Sequence, residues 1–229
     1  MVTKKWMCVA LAVAAMLLMP AVAVQAAMIT IYQDDFSGTG GQDLKGTTPD
    51  VTLGSYGGTS GATWTAGTGE WVMNGAGAVL TVNDSNFASL PFSPLASTVY
   101  QLDWTWTQPT AGHWWMVCLS PSGPFPWGSV GPTSGNVNNG VAGVNTLSAV
   151  ITTDATGGYS CVATFNGIAA APVTGLTADI TIVGFITQAD AIGATMQSMS
   201  LTEIPEPATL GLLAFGGLAV LRRRRARLA

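Results

Sequence analysis

Acid–base or nucleophilic chemistry needs titratable groups held close together, and in this chain they are few. His113 is the sole histidine. It stands beside Trp114 and Trp115 at the start of an apolar run, where a packed or turn imidazole is expected rather than a catalytic base. No Cys/His pair, Ser/His/Asp arrangement or HExxH pattern is present. Sandwich glycosidases work with two carboxylates, yet Glu70 and Glu203 are the only glutamates besides Glu206, and each stands alone in its stretch. The reading is of a protein that is not an enzyme, with no catalytic residue.

Two binding chemistries remain. Asp34-Asp35, with Asp43 and Asp50 in the following loops, offers oxygen ligands to Ca²⁺. Their spacing fits no EF-hand or RTX pattern, so solvated loop aspartates are the expectation and no cofactor is required. Trp104, Trp106, Trp114, Trp115 and Trp127 offer ring faces on which sugars stack. Trp104 and Trp106 alternate with polar residues and so point into a core. Trp127, in Phe125-Pro126-Trp127-Gly128, is the one expected to be exposed, as a glycan contact. Cys118 and Cys161 are left once Cys8 is removed with the leader described below, and two alternatives stay open: a disulfide in an oxidising compartment, or two buried thiols.

The densest signal lies at the C-terminus. Ile204-Pro205-Glu206-Pro207 is followed by an apolar run from Ala208 to Leu221 and then by Arg222, Arg223, Arg224, Arg225 and Arg227. As a helix the fourteen apolar residues would cover roughly 21 Å, short for a permanent span of a hydrocarbon core about 30 Å thick. Orientation is better determined, because Lys and Arg beside a hydrophobic segment stay cytoplasmic. Everything before Pro205 is then outside. Pro205 and Pro207 fix φ and bias Glu206 away from the helical region, leaving an extended tripeptide at the membrane surface.

These three parts, in that order, resemble the PEP-CTERM sorting signal of Gram-negative bacteria. The resemblance implies recognition by the membrane protease/transpeptidase exosortase, cleavage near Pro205-Glu206-Pro207, and delivery of the upstream domain to the cell surface or an exopolysaccharide matrix. Biofilm association follows from the same resemblance.

At the other end, Lys4 and Lys5 precede an apolar stretch from Met7 to Met19, then Pro20 and Val24-Gln25-Ala26. This is a secretory signal peptide, residues 1–26, cut between Ala26 and Ala27. Residues 27–203 form the exported domain and residues 204–229 the sorting signal. From Ala27 to Ile204, eleven acidic residues stand against Lys45 alone, a net charge of about minus ten. Nucleic-acid binding needs phosphate-facing cations, so that class of partner is excluded. The partners expected are exosortase, the membrane transiently, and extracellular polysaccharide.

The elements that must position these residues are strands. Val99 to Gln108 sets Tyr100, Leu102, Trp104 and Trp106 on one face and Gln101, Asp103, Thr105 and Thr107 on the other. His113 to Leu119, apolar on both faces, is expected to be its hairpin partner and a central strand. Further strands are expected at 28–33, 51–56, 62–66, 70–73, 78–82, 147–153, 159–165, 168–171, 179–187 and 196–204, with Asn166-Gly167 as a hairpin turn. Residues 120–145 are dense in Gly, Pro, Ser and Asn and read as a long loop. The fold class expected is all-β, a two-sheet jelly-roll-type sandwich flanked by an N-terminal signal helix and a single C-terminal transmembrane helix. The stretch from Leu147 to Pro172, strand–turn–strand and then Phe165-Asn166-Gly167, resembles laminin-G-like and concanavalin A-like jelly rolls. That resemblance implies a carbohydrate-binding module as the alternative function, with a polysaccharide hydrolase as a more remote one.

Overall fold

The computed structural model describes residues 27–83, 86–113, 115–120, 140–169, 172–176, 180–187 and 191–205. The leader 1–26, Trp114, the 121–139 segment with Trp127, and residues 206–229 lie outside them. The expected signal and transmembrane helices, Glu206, Pro207 and the arginine cluster therefore fall outside the described residues, which contain no helix.

What those residues form is an all-β sandwich of two antiparallel sheets. The strands are β1 (Ile29–Asp34), β2 (Val51–Thr52), β3 (Thr65–Ala66), β4 (Trp71–Met73), β5 (Ala78–Leu80), β6 (Asn86–Pro91) and β7 (Val99–Gln108). They continue with β8 (Trp115–Ser120), β9 (Gly143–Thr153), β10 (Tyr159–Phe165), β11 (Ile168–Ala169), β12 (Val173–Leu176), β13 (Ile182–Thr187) and β14 (Thr195–Ile204). The larger sheet runs β11-β10-β9-β7-β14-β1-β2, with β12 on β10, and with β5 joining β14 to β4. The smaller sheet runs β3-β6-β13-β8.

Alternation builds the larger sheet. Every second residue of β7 is buried, from Tyr100 through Trp106 to Gln108, and the same beat runs through β9, β10 and β14. Facing residues are therefore in phase across four strands, and the apolar set enters one core. β14, the last strand of the described residues, lies in the interior of this sheet. It pairs with β7 from Thr195↔Thr107 to Ile204↔Val99, and with β1 and β5 on its other edge. A bulge between Met196 and Ser198 shifts its register, which keeps both Met196 and Met199 inside.

Aromatic rings join the sheets. Phe185 of β13 meets Trp64, Trp71, Trp104 and Trp115 at centroid distances of 6.0, 5.1, 5.5 and 6.1 Å, edge-on to Trp71 and Trp104. Edge-to-face packing at this range is the favoured geometry for ring pairs.

The expected hairpin between 99–108 and 113–119 is not formed. Both edges of β7 are taken, by β9 and β14, so β8 crosses to the smaller sheet and pairs with β13. There it is the terminal strand of the described sheet rather than a central one. β6 and β12 were not expected. β6 reads Asn-Phe-Ala-Ser-Leu-Pro, with small buried Ala88 and Ser89 where a strand normally shows bulk. The reason lies across the ladder, where a Cβ on Gly184 would meet the Ala88 carbonyl oxygen at 2.1 Å, so the two backbones touch. Asn166 and Gly167 do form the expected turn, with φ of 46° and 80° between paired Phe165 and Ile168.

Candidate functional site

Three of the four aspartates singled out above come together. Gln33 pairs with Val51, so the end of β1 delivers Asp34 and Asp35 beside Asp50 at the start of β2. One carboxylate oxygen from each of Asp34, Asp35 and Asp50 lies within 4.8 Å of the others. A cleft of about 230 Å³ opens beside them, lined also by Ser37, Gln42 and Thr48. Three carboxylates with hydroxyl and amide oxygens nearby are a hard donor set of the kind Ca²⁺ takes.

Their environments differ: Asp35 and Asp50 are the solvated aspartates expected, and Asp34 is not. Asp34 is 5% exposed. Its Oδ2 accepts the Trp64 indole N–H at 2.6 Å and its Oδ1 the Phe36 amide at 2.7 Å. Burial pushes its pKa up, those two hydrogen bonds pull it down, and the charges of Asp50 and Asp35 raise it further. Asp35 is exposed and held below the ordinary range by Ser37, whose amide donates to Oδ1 at 2.9 Å. Asp50 accepts the Asp35 amide at 3.0 Å. Asp34 is thus committed to the core, while Asp35 and Asp50 face solvent. Asp43 is elsewhere: it accepts the amides of Lys45 and Gly69 at 3.0 and 2.7 Å and stiffens two turns.

The two glutamates sit at opposite ends of the larger sheet. Glu70 precedes β4, where its Oε2 accepts the Gly67 amide at 3.1 Å, and β4 reaches β14 through β5 at Met196. Glu203 is seven residues further along β14, roughly 23 Å at strand rise. Glycosidase carboxylate pairs lie within about 10 Å, so these two do not make one.

Of the tryptophans, Trp104, Trp106 and Trp115 are buried, and none offers a ring face to a sugar. Buried Gln108, which no sequence signal marked, organises two of them: its Oε1 accepts both indole N–H groups, at 3.3 Å from Trp106 and 3.0 Å from Trp115. Its amide nitrogen donates to the Thr110 carbonyl at 2.9 Å. His113 Nε2 meets the Thr110 hydroxyl at 2.8 Å, the turn role expected of it. Cys161 is buried with a free thiol, and burial lifts its pKa to about 11. Cys118 lies in β8 opposite Gly184, and its side chain lies outside the described residues.

At the end of β14, Glu203 is 8% exposed and its Oε2 has no hydrogen-bond partner. It lies opposite Tyr100 on one side and Ile29 on the other. Burial raises its pKa, and burial likewise raises that of Tyr100, to which the charge of Glu203 adds. Pro205 follows Ile204 directly, so no linker separates the sandwich from the Pro-Glu-Pro tripeptide.

The chain carries the PEP-CTERM protein-sorting motif over residues 203–225, which includes the last two residues of β14. No curated protein matches the chain. Among solved structures, alginate lyase Aly36B in complex with an alginate trisaccharide is similar at 6% identity over 63% of this chain and 88% of that one, TM-score 0.38. The carbohydrate recognition domain of Emp46p in its metal-free form is similar at 11% identity over 69% and 94%, TM-score 0.39. The T. cruzi calreticulin globular domain is similar at 12% identity over 80% and 92%, TM-score 0.40.

Proposed function

We propose that this chain is an exported, non-enzymatic component of the cell surface or extracellular matrix, sorted and cut by exosortase at Pro205-Glu206-Pro207. Its leader, residues 1–26, is removed between Ala26 and Ala27. The acidic sandwich of residues 27–203 is the delivered part. Residues 204–229 act as a transient membrane hold with a cytoplasmic stop at Arg222, Arg223, Arg224, Arg225 and Arg227. The observation that carries this reading is the sorting motif at 203–225. A delivered module without enzymatic activity is supported by the separation of Glu70 from Glu203 and by the structural duties of Asp34, Asp43 and His113. Within a matrix of polysaccharide, a domain with about ten net negative charges is kept apart from its neighbours by like-charge repulsion.

The test is fractionation of the native host with and without its exosortase, followed by intact-mass measurement of the protein. The expected product begins at Ala27 and has lost the arginines. Recovery of surface protein that still ends beyond Arg227 overturns cleavage.

A further inference from the structure

Both ends of the sandwich leave from one rim. Antiparallel pairing sets Ile29 opposite Glu203, and Ile204 opposite Val99, so the chain enters at Met28 and leaves at Pro205 from adjacent strands, whose opposed Cα atoms are about 5 Å apart. Two loops are fastened to the same rim. In the one following Pro91, the Leu95 amide donates to the Tyr100 hydroxyl at 2.8 Å and the Thr98 amide to Thr153 Oγ1 at 2.9 Å. The loop after β2 joins it through the Ser93 amide, which donates to the Gly57 carbonyl at 2.8 Å. Three large side chains on these segments are exposed: Met28 at 53%, Leu95 at 48% and Tyr56 at 36%.

The sequence sets how far the rim can be from a bilayer. Three Cα steps separate Pro205 from Ala208, where the apolar run begins, a reach of at most about 11 Å. With that run in the hydrocarbon, the rim sits at headgroup depth, the level where tyrosine and other amphipathic side chains concentrate. The rim's charge is kept low to match: Glu203 is withdrawn into the sandwich, and Asp154 is the one exposed carboxylate of the rim among the described residues.

We propose that the rim bearing Met28, Tyr56 and Leu95 rests on the phospholipid surface while the tail is attached, and leaves it when the tail is cut. This rests on the sorting-tail reading above. The occupant is lipid, since the tether holds the rim there whether or not a processing enzyme is present.

The test uses the chain from Ala27 to Ala229 in vesicles of phosphatidylethanolamine and phosphatidylglycerol, without exosortase. Side-chain oxidation by hydroxyl radicals is read by mass spectrometry at Met28, Tyr56 and Leu95, with Ile168, exposed at the opposite end, as the control. The comparison is a variant with a Gly/Ser linker of about twenty residues inserted after Pro207, whose root-mean-square reach of roughly 25 Å frees the domain. The expected result is several-fold less oxidation at the three rim residues in the native chain than in the linker variant, with Ile168 unchanged. Equal oxidation in two chains that both float with the vesicles overturns the docking and leaves the sorting reading intact. A chain that does not float at all overturns the membrane hold, and the docking with it.

Discussion

At the scale of single residues, the carboxylates show how burial assigns roles that a sequence leaves equal. Asp34 and Asp35 are neighbours, yet one is locked under Trp64 and the other faces water. Trp64→Phe keeps most of the ring and removes the donor to Asp34 Oδ2. Losing a hydrogen bond to a buried charged group costs about 1.5–3 kcal/mol, to be read as a lower urea midpoint, and the carboxyl carbon of Asp34 should titrate at higher pH in the same variant. Glu203 makes the opposite case, a buried carboxylate with one unpartnered oxygen. Its folded-state pKa is raised above its ordinary 4.5, so folding favours the protonated form. The stability from this group is full below the unfolded value and is lost as the pH rises through the folded one. Glu203→Gln should therefore raise the melting temperature at neutral pH, and that advantage should shrink as the pH falls into the carboxylate range. A pH series of thermal melts that shows a constant difference removes this account of Glu203.

At the scale of elements, strands with one wet face were legible, whereas β6, whose small residues pack on the backbone of β13, was not. β7 and β10 were read to the residue, because period-two alternation depends only on which face each side chain takes. β6 escaped because its partner demands smallness: a Cβ at Gly184 would meet the Ala88 oxygen at 2.1 Å and the Ser89 Cα at 2.6 Å. Gly184→Ala should push β6 and β13 apart at a cost of about 1–3 kcal/mol, typical of overpacking, measured by chemical denaturation. Phe185→Ala, which empties the centre of the four-tryptophan cluster, should cost more, about 3–5 kcal/mol. If the glycine variant were as stable as the parent, the close approach of the two strands would not be a constraint.

At the scale of the whole molecule, the last strand of the described residues is an interior strand of the larger sheet, and the sorting motif begins inside it. The larger sheet is incomplete without residues 195–204, because β1, β5 and β7 all pair with them. A chain stopped after Gly193 should be degraded rapidly in limited proteolysis, whereas one ending at Pro205 should give a resistant core. Resistance in the shorter chain would mean that the sandwich forms without this interior strand. Local pattern by itself determined the all-β class, the acidic character of residues 27–204 and the linear tail signal, since hydrophobic period, charge and a short extended motif are all properties of neighbouring residues. Only the tertiary structure decided that β8 leaves β7 for the other sheet, that Asp34 is buried while Asp35 is not, that Glu70 and Glu203 are far apart, and that entry and exit share a rim. Each of these depends on which strand edges remain free once the others have paired, a global competition that no window of sequence contains.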